Sequence, residues 1–472
     1  MTTLITTIGT GKRNEKSGEW EYQQAIYQYK DEKPVTTSYI GQAILKSQFD
    51  QDIDRLIVLG TRSSGWANLL SGFGLENDAD CTELWTDLKL TEEASRKNSE
   101  LPGITDSKRK RLQAVLAGKL GPLKIKLKFL PMAVNDAQLW NTLSIVQRII
   151  ADLPVDERII IDVTHGLRHV QVFLASALGI VRQLPPTDRR KDIRFVYGAL
   201  GQGRGGTSPI LDLSMISKKH DWSMAVNSYL SHGDSEKLSG LIGQFDHEKA
   251  KNLAETVETL SFEVAGNYVY LEKDGSAGSL PKTLRVCLKQ MEDFEGLLRQ
   301  STSPEERQAI MGILKILKDW IGSFISIKNP VDLLLALAKD HLKRGRYLLA
   351  LTSCHEAVSL FQAITTNNAP YENNKEKIRT DFDVKLRNVP EKLRERFKKT
   401  CMREKSGGRS QNSLRTVRNQ IVHCLPADDP RHVSAKGLKR KTVHFVEKTI
   451  EIIGELKKHL ETRRATLRTP RN

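Results

Sequence analysis

A chain of 472 residues is too long for one hydrophobic core, so roughly two or three domains are expected. Its hydrophobic content of 39% and charged content of 28% are typical of a soluble globular protein, and no apolar run is long enough to span a membrane. The formal net charge of +16 and the pI near 9.5 favour an anionic partner, of which nucleic acid is the commonest.

The first residues, Met-Thr-Thr-Leu-Ile-Thr-Thr-Ile, begin a strand and lack the basic flank and cleavage site of a signal peptide. We therefore expect a cytoplasmic protein. The five cysteines are scattered and never form a C-x-x-C pair, which argues against a disulfide framework and against a zinc site. We expect neither a metal ion nor a resident cofactor.

The first predicted strand, Leu4 to Ile8, ends in a small basic turn, Gly9-Thr10-Gly11-Lys12-Arg13. A phosphate-binding P-loop needs a glycine and a hydroxyl residue at two positions that hold Thr6 and Arg13 here. The turn is therefore not an ATPase signature. Because it follows a strand of an open sheet, it is still expected to face a ligand.

The following segments predict the remaining elements of an α/β domain. A buried strand over Arg55 to Leu59 precedes a turn rich in hydroxyl groups. Residues 77–121 are polar, helical in their later half, and expected to lie outside the sheet. Lysines alternate with apolar residues over Leu123 to Leu130, which predicts a half-buried or edge strand. The other predicted elements are a strand-like segment, Trp20 to Tyr29, and two amphipathic helices, Tyr39 to Phe49 and Asp136 to Leu153.

The most informative stretch is Arg158 to His169, with the sequence R-I-I-I-D-V-T-H-G-L-R-H. Its branched apolar residues predict a strand buried on both faces, as in a parallel sheet. The strand ends at the turn Thr164-His165-Gly166, and apolar residues at helical spacing follow over Val170 to Val181. Such a turn offers N–H groups and a helix N-terminus to an anion at the carboxyl edge of the sheet, although an ordinary βα turn has the same pattern.

Two further strands are predicted over Ile193 to Leu200 and Pro209 to Leu213. The segment between them, Gly201 to Gly206, fits the dinucleotide pattern G-x-G-x-x-G. That pattern requires a following helix, whereas a strand follows here, so nicotinamide binding is rejected. A glycine-rich hairpin tip beside the ligand crevice is the better interpretation.

From about Ser214 onward strand patterns give way to long helical patterns, which indicates an all-α region after the α/β domain. Near the end of this region is the hexapeptide R-N-Q-I-V-H, residues 418–423. Asn419 and His423 are i,i+4 neighbours beside Arg418 on a predicted helix, so an amide, an imidazole and a guanidinium can converge. These groups suit proton transfer from a ribose 2′-hydroxyl and stabilisation of a pentacoordinate phosphate. A surface arginine with a histidine near a helix C-terminus has the same spacing.

The chain resembles the CARF-HEPN ribonucleases, the accessory enzymes of type III CRISPR systems. The resemblance covers roughly the first 215 residues and the C-terminal motif, with D-V-T-H-G-L-R as its most specific segment. The segments that carry it are L-I-T-T-I-G-T-G, L-I-V-L-G-T-R-S-S-G-W, I-I-I-D-V-T-H-G-L-R-H, F-V-Y-G-A-L, W-S-M-A-V-N-S-Y-L-S-H-G-D and R-N-Q-I-V-H.

The resemblance implies an α/β Rossmann-like CARF domain with a mostly parallel sheet, followed by an all-α region with a C-terminal HEPN domain. It divides the chain into a CARF-like sensor (1–217), a helical connecting region (218–340) and a HEPN ribonuclease domain (341–472). It implies a homodimer, able to assemble further, in which paired CARF domains bind a cyclic oligoadenylate and paired HEPN domains form one site for single-stranded RNA.

The same resemblance assigns the site residues. Arg418 and His423 are catalytic with Asn419 in support, and cleavage leaves a 2′,3′-cyclic phosphate without a metal ion. Cyclic tetra-adenylate is the expected activator. The residues assigned to its pocket are Gly9, Thr10, Gly11, Thr61, Arg62, Thr164, His165, Gly166, Arg168 and Gly201.

Two other functions compete with an activated ribonuclease. One is a CARF sensor whose helical part binds nucleic acid or protein without catalysis. The other is an α/β enzyme for a small phosphorylated substrate, with His165 and Arg168 as catalytic groups. In a variant of the ribonuclease hypothesis, the CARF domain slowly cleaves its own messenger, and Thr10, Lys12 and Thr164 assist this cleavage.

Overall fold

The computed structural model describes residues 1–13, 20–47, 52–97, 101–154, 157–166, 168–181, 193–203, 206–267, 269, 279–366, 375–402, 414, 417–418 and 435–468. The chain divides into two compact units, Met1–His220 and Asp221–Asn472. The first unit contains all of the strands found among these residues.

Eight strands of the first unit form one sheet in the order β5-β4-β10-β9-β8-β1-β6-β7, and β2 pairs with β3 in a separate ribbon. The strands are β1 (Thr2–Thr7), β2 (Lys12–Arg13), β3 (Trp20–Glu21), β4 (Ala25–Gln28), β5 (Val35–Thr37), β6 (Arg55–Gly60), β7 (Lys124–Phe129), β8 (Arg158–Asp162), β9 (Ile193–Gly198) and β10 (Thr207–Asp212).

The five strands from β9 to β7 run parallel to one another, and β10 is antiparallel to β9. Successive residues of the central strands belong to two different hydrophobic clusters, as Leu4 and Ile5 of β1 illustrate. Because side chains alternate along a strand, these clusters lie on opposite faces of the sheet. The predicted Rossmann-like, mostly parallel sheet is confirmed.

Helices cover both faces of this sheet. Residues of the first four helices belong to the cluster of Leu4, and residues of the next two belong to the cluster of Ile5. The helices are α1 (Ile40–Lys46), α2 (Ala67–Gly72), α3 (Thr82–Lys97), α4 (Asp106–Lys119), α5 (Asp136–Ala151) and α6 (Arg168–Val181). The later half of residues 77–121 thus contains a helix, α4, as predicted, and the first half contains a further helix, α3.

One predicted element of the first unit differs in detail. The segment from Trp20 to Tyr29 contains two strands, because β3 pairs with β2 while β4 pairs with β5 and β10. The strand β7 lies at the edge of the sheet, as its alternating lysines predict. Two side chains of α4 bind its outer backbone: Gln113 accepts from the N–H of Leu127, and Arg109 donates to the Leu127 carbonyl.

The second unit is helical wherever the structure describes regular elements. Its helices are α7 (Met215–His232, which begins before the unit boundary), α8 (Glu236–Gly243), α9 (Glu248–Gly266), α10 (Ser279–Ser301), α11 (Pro304–Ile325), α12 (Pro330–Lys343), α13 (Tyr347–Thr366), α14 (Lys375–Leu386), α15 (Glu391–Cys401) and α16 (Ala435–Arg468). The start of α12 is well defined, since the Asn329 side chain accepts from the N–H groups of Val331 and Asp332, and Pro330 occupies the first turn.

One hydrophobic cluster runs through the second unit, from Trp222 to Leu456. The expected boundary at residue 340 lies inside α12, and residues on both sides of it belong to this cluster. The helical C-terminal region is thus confirmed, and its division into a connecting region and a HEPN domain stays a prediction. Within the described part of the chain, no helix has both the length and the apolar character needed to cross a membrane.

Candidate ligand site at the carboxyl edge of the sheet

The order of the parallel strands reverses between β1 and β8. The chain passes from β1 outward to β6 and β7 and then returns to place β8 and β9 on the other side of β1. In open α/β sheets, ligands bind at such a switch point, outside the carboxyl ends of the strands. The turns after β1 and β8 are therefore the centre of the candidate site.

These two turns meet at a pair of glycines. A Cβ atom on Gly9 would lie 3.3 Å from both the Cα and the N of Gly166. Gly166 has a φ of +100°, and a Cβ atom there would lie 2.8 Å from the Cβ of Thr7. The turn after β6 joins them, because the Gly65 N–H donates to the Gly9 carbonyl at 2.7 Å. The structure therefore brings together the three turns that contain most of the predicted pocket residues.

A buried carboxylate orders the turn after β8. Asp162 accepts hydrogen bonds from Thr6 Oγ1 at 2.6 Å and from the Thr164 N–H at 2.9 Å. The Thr164 hydroxyl oxygen in turn accepts from the Gly198 N–H at 2.8 Å, which connects the turn to the end of β9. Thr7 donates to the His165 carbonyl. These threonines position the backbone of the candidate site.

His165 packs against Tyr22, with ring centroids 4.8 Å apart. The Tyr22 hydroxyl accepts a hydrogen bond from the Gly9 N–H, so this aromatic residue touches both turns. Burial lowers the pKa of His165, with a smaller opposing effect from Asp162, and burial raises the pKa of Tyr22. The Nε2 atom of His165 is buried and has no hydrogen-bond partner in the described part of the chain. A neutral imidazole with an unused nitrogen suits a hydrogen bond to a base or sugar better than charge pairing with phosphate.

Thr61 and Arg62 follow β6 and are engaged within the protein. The Thr61 N–H donates to Ser64 Oγ at 2.9 Å. The Arg62 guanidinium donates to the Ile104 carbonyl at 3.0 Å and to Asp106 at 2.6 Å. It also lies 4.7 Å from the ring centroid of Phe129. The guanidinium of Arg62 is therefore paired with Asp106, the first residue of α4. The assignment of Arg62 to the messenger pocket stays a prediction.

Arg168 and Gly201 complete the predicted set. Arg168 is the first residue of α6, its side chain is exposed, and no residue described in the structure forms an ion pair with it. Gly201 lies in the hairpin between β9 and β10, with a φ of +66°, and its N–H donates to Ser208 Oγ at 3.0 Å. Because β9 is parallel to β8, this hairpin lies at the same edge of the sheet as the Thr164 turn. The strand β10 follows the glycine-rich segment, as predicted, where a dinucleotide fingerprint requires a helix.

Two charged residues at this edge escaped the sequence predictions. Glu92 of α3 is fully buried and accepts from the Ala67 N–H at 2.8 Å. Arg96 lies 3.6 Å from the Glu92 carboxylate and donates to the Thr10 carbonyl at 3.2 Å. An i,i+4 pair in a polar helix is usually solvent-exposed, so the sequence contains no signal that this pair is buried. Tyr22 was also missed, because its segment predicts only a strand.

The predicted catalytic motif is only partly within the described residues. Arg418 is helical and half-buried. The nearby Leu414 and Val417 are buried in the hydrophobic cluster of the helical unit. Asn419 and His423 lie outside the described residues, so the convergence of the three side chains stays a prediction.

No group of three or more His, Cys, Asp or Glu residues that could hold a metal ion occurs among the residues placed in the structure. The four described cysteines, Cys81, Cys287, Cys354 and Cys401, are buried and free. Burial raises the pKa of Cys287 and Cys401 to about 12. These thiols therefore belong to the hydrophobic interior and are not reactive nucleophiles.

Comparisons with known proteins agree with this architecture. Residues 3–199 match the model of the CARF domain of CRISPR system endoribonuclease Csx1. CRISPR-associated protein MJ1674 of Methanocaldococcus jannaschii is 22% identical over 306 residues, which are 63% of this chain and 45% of that protein. The chain therefore spans less than half the length of this relative.

A solved structure, Enterococcus italicus Csm6 bound to cyclic hexa-2′-fluoro-hexa-dAMP, aligns with 96% of this chain and 93% of that chain, at 12% identity and a TM-score of 0.36. The family match covers all three turns of the candidate site, from Gly9 to Gly166. The first unit is accordingly similar to the CARF domain of CRISPR system endoribonuclease Csx1, and the chain as a whole is similar to a CRISPR-associated protein.

Proposed function

We propose that this protein is a messenger-activated ribonuclease of antiviral defence. A cyclic oligoadenylate binds at the carboxyl edge of the CARF sheet and activates cleavage of single-stranded RNA by the helical unit. The substrate's own 2′-hydroxyl is the nucleophile, no metal ion takes part, and the product ends in a 2′,3′-cyclic phosphate.

The observation that carries the proposal is the meeting of Gly9 and Gly166 at the switch point of a CARF sheet. Two backbone turns that approach this closely can present N–H groups to one ligand, as anion sites at strand ends do. A cyclic oligoadenylate offers both chemistries that the edge can receive: phosphates for Arg168 and the turn N–H groups, and bases for the buried imidazole of His165.

The catalytic part of the proposal rests on the motif R-N-Q-I-V-H. In this mechanism His423 moves the proton of the 2′-hydroxyl, and Arg418 stabilises the charge that develops on the phosphate. Asn419 orients the RNA. Since neither Arg418 nor His423 is accompanied by a metal-ligand cluster in the sequence, activity is expected to persist in EDTA.

Assembly and location follow from the same proposal. Two copies form a composite messenger pocket from their CARF domains and one RNase site from their HEPN domains, in the cytoplasm. Cyclic tetra-adenylate is the activator that we expect.

The experiment that tests the proposal is an RNase assay of the purified protein with cyclic tri-, tetra- and hexa-adenylate offered separately. We expect cleavage of a single-stranded RNA with one ring size, with cyclic-phosphate ends and no effect of EDTA. Linear tetra-adenylate is the matched control and should activate poorly. Messenger binding without cleavage by any ring would favour the non-catalytic sensor, whereas absence of binding would refute the proposal altogether.

A further inference from the structure

The helix α3 connects two of the turns at the candidate site through one pair of charged residues. Glu92 binds the first N–H of α2, which follows the turn after β6. Arg96, one helical turn further on, is only 11% exposed at its side chain and binds the Thr10 carbonyl after β1. The pair therefore connects α3 to two turns at the carboxyl edge of the sheet.

The hydrogen bond from Arg96 fixes the direction of a peptide group. Peptide bonds that do not precede proline are almost always trans, so the carbonyl of one residue and the N–H of the next point in opposite directions. Because Arg96 binds the Thr10 carbonyl, the Gly11 N–H points away from α3. The bond from the Gly65 N–H to the Gly9 carbonyl fixes the Thr10 N–H in the same manner.

The N–H groups of Thr10 and Gly11 are therefore both fixed in direction, because the carbonyl group of each peptide unit accepts a hydrogen bond, from Gly65 and from Arg96 respectively. Gly11 has a φ of +78°, the left-handed region in which consecutive N–H groups converge on an anion. No residue that the structure describes accepts a hydrogen bond from either N–H. This geometry is that of a small anion-binding concavity.

We propose that Arg96, which lies beside the buried carboxyl group of Glu92, is a positioning residue that holds the Thr10 and Gly11 N–H groups ready for a phosphate of the messenger. The inference rests on the proposed function and extends it, because it assigns the phosphate contact after β1 to backbone N–H groups and gives Arg96 an indirect role. Arg62, the cation predicted for this edge, is bound instead to Asp106.

Glu92 also sets the charge beside this concavity. Burial raises the pKa of Glu92 to about 7, while the Ala67 N–H and then Arg96 act in the opposite direction. The other titratable groups that influence it are Lys89 of the same helix and Tyr22 of the neighbouring hairpin. Protonation of Glu92 near neutral pH removes a negative charge from the anion site and leaves an oxygen that can still accept from Ala67.

The first experiment measures the affinity for cyclic tetra-adenylate by calorimetry in the full chain. Arg96→Met removes the donor but keeps the side-chain stem, and we expect a loss of about tenfold or more, the effect of one charge-assisted hydrogen bond. Arg96→Lys keeps the charge and one donor, so its affinity should fall between those of the wild type and Arg96→Met. The matched control is Arg111→Met, which removes an exposed arginine of α4 that pairs with the exposed Glu83. This variant should bind as the wild type does.

The second experiment uses pH as a readout that a purely structural ion pair would not affect. Wild-type affinity should increase severalfold as the pH falls from 8 to 6, because protonated Glu92 no longer repels the phosphate. Glu92→Gln keeps an acceptor oxygen for the Ala67 N–H and is uncharged, so its affinity should be independent of pH over this range and at pH 8 equal that of the wild type at pH 6.

The outcomes separate this inference from the function on which it rests. Wild-type affinity in both Arg96→Met and Arg96→Lys, or an unchanged pH profile in Glu92→Gln, would overturn the positioning role while leaving messenger binding intact. If Arg96→Met does not fold, the Arg96→Lys affinity and the Glu92→Gln profile decide. Failure of the wild type to bind the messenger would refute the proposed function itself.

Discussion

Gly9 and Gly166 approach each other so closely that a Cβ atom on Gly9 would lie 3.3 Å from the backbone of Gly166. This contact joins the turns after β1 and β8, which are distant in sequence and adjacent only because the sheet order reverses between these strands. The residue type at both positions is therefore set by the geometry of the candidate site.

Gly166→Ala should destabilise the first unit. Gly166 has a φ of +100°, which L residues rarely adopt, and the added Cβ atom would lie 2.8 Å from two atoms of Thr7. We expect a loss of roughly 1 to 3 kcal/mol in the free energy of unfolding, measured by urea titration.

Gly118→Ala is the matched control for that measurement. Gly118 lies in α4, and no atom outside its own helix comes within 4 Å of an added Cβ atom. Alanine favours the helix by up to about 1 kcal/mol, so this variant should be as stable as the wild type or more so. Equal stability of Gly166→Ala and wild type would contradict the close packing of the two turns.

Arg168→Ala and Thr164→Ala should both weaken messenger binding, but for different reasons. Arg168 is exposed, so its loss removes a charge-assisted phosphate contact of about 1.5 to 3 kcal/mol and leaves the melting temperature unchanged. Thr164 accepts from the buried Gly198 N–H, so its loss also destabilises the fold, by about 1 to 3 kcal/mol.

Thr164→Ser separates the two effects because it restores the acceptor for Gly198. Calorimetry and thermal unfolding of the three variants check this prediction. If calorimetry gave wild-type affinity for both alanine variants, the assignment of Arg168 and Thr164 to the pocket would be wrong.

The helical unit should lose stability in mild acid through His341. Burial, with a smaller effect of Arg346, lowers the pKa of this imidazole to about 4. In the unfolded chain the pKa is near 6.5, so between these values the unfolded state binds more protons and stability falls as the pH falls, by at most about 1.4 kcal/mol per pH unit. Urea unfolding at pH 5 and pH 7 measures the difference, which should shrink in His341→Gln. An identical pH difference in that variant would exclude His341 as its source.

Much of the fold follows from local sequence patterns. The unbroken apolar run at Ile159 to Ile161 predicts a doubly buried strand, and the glycine turn that follows predicts the place where a ligand site forms. The start of α11 also has a local signal, since Ser303 caps the helix and Pro304 occupies its first turn.

Other features depend on pairing between distant segments and have no local signal. The division of Trp20 to Tyr29 into two strands arises because β3 and β4 have different partners. The buried state of Glu92 and Arg96 arises from the packing of α3 against two turns. The engagement of Arg62 by Asp106 likewise joins residues 44 positions apart.

The central claim is that a messenger bound to the CARF domain activates an RNase site at Arg418 and His423. The most direct test measures cyclic-tetra-adenylate-dependent cleavage of single-stranded RNA by the wild type, His423→Ala and Arg418→Ala, with messenger affinity and melting temperature measured on each. We expect activated cleavage by the wild type and none by His423→Ala. Arg418→Ala should lose roughly a hundred- to a thousandfold in rate, the effect of one oxyanion donor, and messenger binding should be unchanged in both variants. Activated cleavage that persists in His423→Ala, or that stops when EDTA is added to the wild type, would contradict the account.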